Sequence, residues 1–212
     1  KNGYCTWLEL NGIPCIDTAE VQMNQSICTS RSFGRNVEDL PSLKASVANF
    51  ALSCANKLRS QRAVSSSVTV FLYSNRFRDD LEQYENADTF YFLTPTSDSL
   101  EITKAALQIL QNIYRPGIQY KKTGVVLGRI SSSDIIQQDL FDSIPNRPQR
   151  MELMKTIDSL NHRYGPKTIG LVVEESRERN WHVKSEFRSP NYLTDINEIL
   201  TIKIWRIAQI AG

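Results

Sequence analysis

SSVTVFLYS, at residues 66–74, alternates between two kinds of side chain along most of its length. The aliphatic members are Val68, Val70 and Leu72, and the residues between and beside them are Thr69, Phe71 and Tyr73. A period of two, in a run rich in β-branched and aromatic residues, is typical of a β-strand. We therefore predict a strand at 66–74.

The segment before this strand predicts a helix preceded by another strand. EDLPSLKASVANFALSCANKLRSQ, at 38–61, has Pro41 in its first turn, and either Asp39 or Ser42 can cap it. One apolar stripe at helical spacing consists of Leu43, Val47, Phe50, Ala51, Cys54 and Leu58. SICTSRSFG, at 26–34, has the composition of a strand that ends at Gly34.

The segment after residue 74 predicts a strand at 88–94 closed by Pro95, a helix at 97–114 and a strand at 120–131. Asp98 and Glu101 have the spacing of a capping box. The expected buried face of this helix is Leu100, Thr103, Leu107, Leu110 and Tyr114. The predicted order of elements is strand, helix, strand, strand, helix, strand. This is the order of the split βαβ in ferredoxin-like domains. The predicted fold class is therefore α+β, a βαββαβ sheet with two helices on one face and the other face free.

Residues 131–212 predict a small α/β extension of this domain. A loop is followed by a helix at 149–164, with Met151, Met154, Ile157 and Leu160 at core spacing, and by a strand at 167–175. The remaining tail is rich in aromatic residues and has no clear period.

Composition is that of an ordinary globular protein, with 41% hydrophobic and 23% charged residues among 212. The sequence has no apolar run long enough to span a bilayer and no secretory leader, and because it begins at Lys1 we expect a piece of a longer chain. The net charge of +2 is too small to indicate nucleic acid by itself. The basic part is 27–130, with 13 Lys/Arg against 9 Asp/Glu.

Catalytic and metal-binding interpretations find little support in the sequence. Cys5, Cys15, Cys28 and Cys54 form no C-x-x-C pair, and His162 and His182 are far away, so we expect no structural zinc, buried free thiols and a reducing cytoplasm. No phosphate-binding loop, nucleophile elbow or Cys/His dyad is present. A binding module is the default, and a free-standing enzyme of unknown type is a weaker alternative.

Basic residues near the ends of two predicted strands suggest phosphate contact. They can reach the free sheet face, and a glycine there lets backbone N–H groups approach a phosphate. The cations are Arg31 and Arg35, which flank Ser32, Phe33 and Gly34 at the end of the first strand, and Lys121, Lys122 and Arg129, which lie on or near the fourth. The alternative is that these cations merely solvate an exposed face. An RNA-recognition sheet would carry R-G-F-x-F aromatic residues on its central strands, and TSRSFGR offers only Phe33.

DIIQQDLFDSI, at 134–144, places Leu140 and Phe141 side by side in a polar stretch just before Pro145. Such an exposed apolar pair is either left over from folding or intended for the groove of a partner.

Several of these stretches together resemble the C-terminal half of the UmuC (ImpB/MucB/SamB) family of Y-family translesion DNA polymerases. The matching segments are CTSRSFG, FLTPTSDS, YKKTGVVLG and QQDLF, and LELNGIPC at 8–15 resembles the end of the thumb region of that family. The resemblance implies three regions. They are the end of the thumb and a linker at 1–26, a DNA-binding little-finger domain at 27–130, and a UmuC-type C-terminal extension at 131–212.

The resemblance also implies functional residues and partners. The first-strand motif and the basic fourth strand would contact the backbone of primer–template DNA. Gln137, Leu140 and Phe141 match the peptide that binds the sliding clamp. A UmuD-type accessory subunit and the recombinase filament are further implied partners, in the bacterial cytoplasm and in SOS repair. The catalytic carboxylates and their Mg²⁺ belong to the palm, which would precede this segment, so we expect this chain to polymerise nothing and to need no cofactor. The rival hypothesis is a protein-interaction module without direct DNA contact.

Overall fold

The computed structural model describes residues 2–15, 24–134, 146–165, 168–170, 189–191 and 196–198. In chain order the elements are α1 (Asn2–Leu10), β1 (Ser26–Val37), α2 (Leu40–Ser60), β2 (Ala63–Ser74), β3 (Glu85–Thr96), α3 (Ser99–Ile113), β4 (Tyr120–Ser132), α4 (Arg147–Tyr164) and a short 3₁₀ helix at Ile196–Glu198. None of the helices in the described ranges is both long enough and apolar enough to cross a membrane.

The four strands form one sheet in the order β1-β4-β2-β3, and each neighbouring pair is antiparallel. Helix α2 therefore joins two parallel strands with β4 between them, and α3 joins two others with β2 between them, which confirms the predicted split βαβ. Strand β1 does not end at Gly34 but continues to Val37. Strand β3 also continues through Pro95 to Thr96, because an edge strand tolerates a residue that has no N–H.

The core lies between one face of the sheet and the two helices. Cross-strand neighbours Ile27, Leu127 and Val68 are buried on this face. All six residues of the predicted α2 stripe are buried as well, and Asp39 caps the helix by accepting from the Ser42 N–H at 2.8 Å.

The predicted buried face of α3 is only partly correct. Asp98 caps the helix as expected, and Thr103 and Leu110 are buried, but Leu100 is exposed. The helix instead buries Ile102, Ala105, Ala106, Ile109 and Ile113. Because α3 packs against both the sheet and α2, its buried face is wider than one stripe, and alanines let the helix approach closely.

Helix α4 confirms the predicted helix at 149–164, although its expected core residues are mostly accessible. Only Met154 is buried, and Met151 is exposed. The strand predicted at 167–175 falls largely outside the described residues. The thiols also differ from expectation, because only Cys54 is buried and Cys28 is exposed.

Candidate nucleic-acid interface

The face of the sheet opposite α2 and α3, which we call the open face, is built from alternate residues of all four strands. Antiparallel pairing places directly opposed residues on the same face of a sheet. The rows of the open face are Ser32–Lys122–Tyr73–Glu85, Ser30–Gly124–Phe71–Ala87, Cys28–Val126–Thr69–Thr89 and Ser26–Gly128–Ser67–Tyr91. Most of these side chains are small, and many carry a hydroxyl group.

Three aromatic rings lie among these small residues. Phe71 and Tyr73 are stacked on β2, with ring centroids 4.9 Å apart and an interplanar angle of 27°. The ring of Phe71 lies on Gly124, where an added Cβ would be 2.4 Å from its Cζ. Tyr91 lies on the edge strand β3 and is 56% exposed. Only the glycine leaves room for the Phe71 ring against the sheet.

Each ring is accompanied by a cation. The Lys122 Nζ is 5.9 Å from the centroid of Phe71, and the Arg129 Cζ is 4.7 Å from the centroid of Tyr91. The Arg76 Cζ lies 5.2 Å from the centroid of the Tyr73 ring, and its guanidinium also pairs with Glu85. Glu85 is the one carboxylate in the four rows, so the open face is positively charged on balance.

Arg129 reaches the open face through an unusual backbone conformation. Its neighbour Gly128 belongs to an open-face row, so simple alternation would direct Arg129 toward the helices. The φ of Arg129 is instead 50°, in the left-handed region that residues with a side chain seldom adopt. This local break in alternation allows the guanidinium to lie over Tyr91.

The structure brings together only some of the residues predicted to bind DNA. Ser32 and Lys122 are direct cross-strand partners on the open face. Arg31 pairs with the buried Thr123 and therefore lies on the helix side, so the expectation that it shares the open face is wrong. The reason is the alternation of side chains along β1.

Phe33 also departs from the expected site, because it is 1% exposed and belongs to the core. Its carbonyl accepts a hydrogen bond from the Lys121 Nζ at 2.6 Å, so the ammonium of Lys121 already has a partner. Gly34 and Arg35 lie in the stretch between Ser32 and Val37 where the register shifts. The predicted clamp-binding residues Gln137, Leu140 and Phe141 lie outside the described residues.

Sequence reasoning missed the aromatic members of this face, Phe71, Tyr73 and Tyr91, as well as Arg76. The signal for the first two was present in the alternation of 66–74, because Val68, Val70 and Leu72 take the core side and leave the aromatic residues opposite. They were missed because stacked aromatic residues were expected only in an R-G-F pattern, which 66–74 does not contain.

Two other kinds of site can be compared with the open face. Among the described residues, no group of three or more His, Cys, Asp or Glu side chains could hold a metal ion. A cavity of about 1170 Å³ lies between α2 and α4. Arg59 and Asp158 in its wall are paired with each other at 2.6 Å, and further cations, among them Arg31, Lys57 and Arg62, also line it.

The fold is that of an α+β domain with one open sheet face, and comparison with known proteins gives its family. Residues 24–140 match the impB/mucB/samB family C-terminal domain, and residues 151–202 match a domain of unknown function, DUF4113. The chain belongs to the impB/mucB/samB family, which confirms the resemblance found in the sequence.

Individual relatives match over nearly the whole chain. Protein UmuC of Salmonella typhimurium is 34% identical over 92% of this chain and 46% of its own length. Protein ImpB of Salmonella typhimurium is 35% identical over 90% of this chain and 45% of its own. Protein MucB of Escherichia coli is 33% identical over the same shares of 90% and 45%. The chain thus spans slightly less than half the length of these relatives.

Proposed function

We propose that this chain is the non-catalytic C-terminal region of an error-prone Y-family translesion DNA polymerase acting in SOS repair. In this role it binds the backbone of primer–template DNA through the open face and binds the sliding clamp through residues 137–141. Membership in the impB/mucB/samB family supports the class of parent protein. The observation that carries the DNA-binding role is the open face itself, where cations flank small hydroxyl-bearing residues and glycines.

The chemistry of this face favours phosphate contact over base reading. Serine and threonine hydroxyls donate to phosphate oxygens, and short side chains allow a nucleic-acid backbone to approach the sheet closely. Lys122 and Arg129 supply the charge, and neither has a carboxylate partner among the described residues. Such contacts bind DNA with little sequence preference and with strong dependence on salt.

Salt dependence of binding tests this proposal. Fluorescence anisotropy of a labelled primer–template should show affinity that falls steeply with salt and is similar for two unrelated sequences. The slope of log K against log salt is negative, and Lys122→Gln and Arg129→Gln should each make it shallower by about 0.9, the value for one phosphate contact. Arg78→Gln is the matched control, because Arg78 is an exposed arginine paired with Asp80 outside the open face. Salt-insensitive binding, or no binding, would contradict the DNA-binding role.

Cys28 gives a direct footprint of the same face. It is an exposed thiol in an open-face row, whereas Cys54 is buried in the core. Bound primer–template should therefore slow the alkylation of Cys28, followed by mass spectrometry, and leave the half-buried Cys5 and Cys15 unaffected. Equal Cys28 rates with and without saturating DNA would place the DNA elsewhere.

Clamp binding rests on the match of Gln137, Leu140 and Phe141 to the clamp-binding peptide of the family. Two adjacent apolar anchors fit a hydrophobic cleft, and the glutamine fixes their register. The double substitution Leu140→Ala and Phe141→Ala should abolish retention on immobilised sliding clamp and leave DNA affinity unchanged. Undiminished retention would remove the clamp from the proposal.

The alternative function is a protein-interaction module for a UmuD-type subunit or a recombinase filament. The exposure of Leu93, which is 72% accessible on β3 beside Tyr91, favours it. Charge reversal separates the two hypotheses, because Lys122→Glu with Arg129→Glu should abolish DNA binding only if the open face contacts DNA. Intact DNA binding by this variant would favour the alternative.

A further inference from the structure

We propose that Tyr91 is a positioning residue, whose ring holds the Arg129 guanidinium in the place where it meets a DNA phosphate. This inference rests on the proposed DNA-binding function and adds to it a role for side chains that carry no charge.

The backbone of Arg129 is the first observation. Its positive φ of 50° costs free energy for a residue with a side chain, and such conformations persist where the surroundings fix them. The ladder between β2 and β4 keeps its register on both sides, with Ser67 opposite Gly128 and Ser65 opposite Ile130. The register is therefore the same on both sides of Arg129, and the break is confined to that position: Arg129 follows Gly128 onto the open face, and Ile130 beyond it packs against the core.

The position of the Tyr91 ring is the second observation. A tyrosine that is 56% exposed on an edge strand contributes little to the core, and the hydrophobic core cluster does not include it. Its ring instead lies 4.7 Å from the Arg129 Cζ. The ring is thus available as a platform for the guanidinium.

The donors of Arg129 are the third observation. The described part of the chain provides the guanidinium with the Tyr91 ring and with no hydrogen-bonding or ion-pair partner. A guanidinium that lies over a ring keeps its N–H edges available, and those edges match the oxygens of a phosphate. Lys121 is different, because its ammonium already donates to the Phe33 carbonyl.

Positioning has a defined energetic consequence. A free arginine side chain loses much rotamer freedom when it binds a phosphate, and a side chain held beforehand loses less, so it binds more tightly. An exposed cation–π contact has the strength to change DNA affinity about two- to fivefold. The number of phosphates contacted, and with it the salt slope, stays the same when only the ring is removed.

The test is a double-mutant cycle on the full chain, with anisotropy of labelled primer–template measured across a salt series. Tyr91→Leu should weaken binding about threefold with an unchanged salt slope. Arg129→Gln should weaken binding and also lower the slope. The double variant should match Arg129→Gln alone, because a ring without its cation has nothing to position.

Two controls accompany the cycle. Tyr91→Phe retains the ring and should bind like the unaltered chain, and Leu93→Ala removes an exposed apolar side chain two residues away and should also have no effect. In the absence of DNA, the Arg129 Nε–Hε NMR resonance should show a ring-current shift that Tyr91→Phe preserves and Tyr91→Leu removes.

The outcomes separate this inference from the function on which it rests. One outcome is that Tyr91→Leu has the affinity and salt slope of the unaltered chain while Arg129→Gln binds DNA more weakly. This outcome would overturn the positioning role and leave the DNA-binding function standing. A second outcome is that the losses of affinity in the two variants add, and that the loss in Tyr91→Leu is larger for single-stranded than for duplex DNA. This outcome would overturn the positioning role in favour of direct stacking of a base on Tyr91. An unaltered chain that binds no DNA would overturn both.

Discussion

At the scale of single residues, Gly124 determines how closely the open face can pack. Phe71 lies against the sheet because β4 has no side chain at this position, and a Cβ there would also be 2.5 Å from the Ser30 Cβ. An aromatic ring that covers a glycine of the neighbouring strand restores contacts that the glycine lacks. This one residue therefore fixes the place of the ring beside Lys122.

We expect Gly124→Ala to destabilise the chain by about 1–3 kcal/mol, as overpacking usually does, because Phe71 must leave its place. Urea unfolding measures this loss. Gly128→Ala is the matched control on the same strand and face, where the added Cβ meets only the Ser67 Oγ at 3.0 Å, and it should cost clearly less. Equal losses in both variants would show that the Phe71 contact is unimportant.

Cys54 should make stability depend on pH in the alkaline range. Burial raises the pKa of its thiol above the ordinary value of 9.0, so above that pH the unfolded chain releases a proton that the native chain retains. The contribution of Cys54 to stability is therefore fully present below about pH 9. It is lost as the pH rises toward the raised pKa of the thiol in the folded chain. Tyr120, whose pKa burial also raises, adds to the loss at higher pH.

Cys54→Ala isolates the thiol contribution. The variant should be less stable than the unaltered chain at pH 8, because it leaves a small void, and the difference in urea midpoint should narrow at pH 10. A constant difference at both pH values would contradict a role for thiol ionisation.

At the scale of elements, α4 is held mainly by charge. Its Asp158 accepts from the Arg59 Nε and Nη2 at 2.6 and 2.7 Å, which is a bidentate pair with the end of α2. Arg150 pairs with Asp98, the N-cap of α3, and Arg147 pairs with Glu101 in the first turn of that helix. The apolar contribution of α4 comes mainly from the buried Met154, with Ile157 and Leu160 only partly buried. Ion pairs that are only partly buried should make this attachment weaker at high salt.

Asp158→Asn should loosen α4 by about 1–2 kcal/mol, since it removes a charge-assisted bidentate contact from a largely buried arginine. Hydrogen exchange of the α4 amides should become faster, while exchange in β2 and β4 stays unchanged. Glu152→Gln is the control, because its pair with Lys155 is fully on the surface and should contribute little. Unchanged exchange in Asp158→Asn would indicate that the ion pairs of Arg147 and Arg150, together with Met154, are enough to hold the helix.

Elements were predictable from the sequence where side-chain period alone sets the structure. The α2 stripe was correct because one face of that helix is buried. The α3 face was misjudged because its close packing uses Ala105 and Ala106, which weigh little in an apolar pattern against Leu100 and Leu107. The position of Arg129 could not be predicted, since a positive φ in a residue with a side chain breaks the alternation on which the reasoning depends.

At the scale of the whole molecule, one core serves the βαββαβ unit. Every described member of the main hydrophobic cluster lies between Ile27 and Leu127, so neither α1 nor α4 contributes to it in the described ranges. The same unit carries the open face. Stability and proposed DNA binding therefore belong to one part of the chain.

A fragment consisting of residues 24–134 should accordingly fold by itself. We expect one cooperative urea transition and the circular dichroism of a mixed α and β protein, together with salt-dependent DNA affinity close to that of the full chain. A fragment that lacks a cooperative transition would mean that residues outside this range complete the core.

The pairing of Ser26 with Gly128 has a consequence for how such a unit can be joined to others. Strand β1 begins beside the last few residues of β4, so the chain enters and leaves the sheet at the same end. Two neighbouring junctions are then enough to transplant the whole unit as a cassette into another polypeptide. Bending at that pair of junctions would move the open face as a rigid body, without a change in any strand pairing.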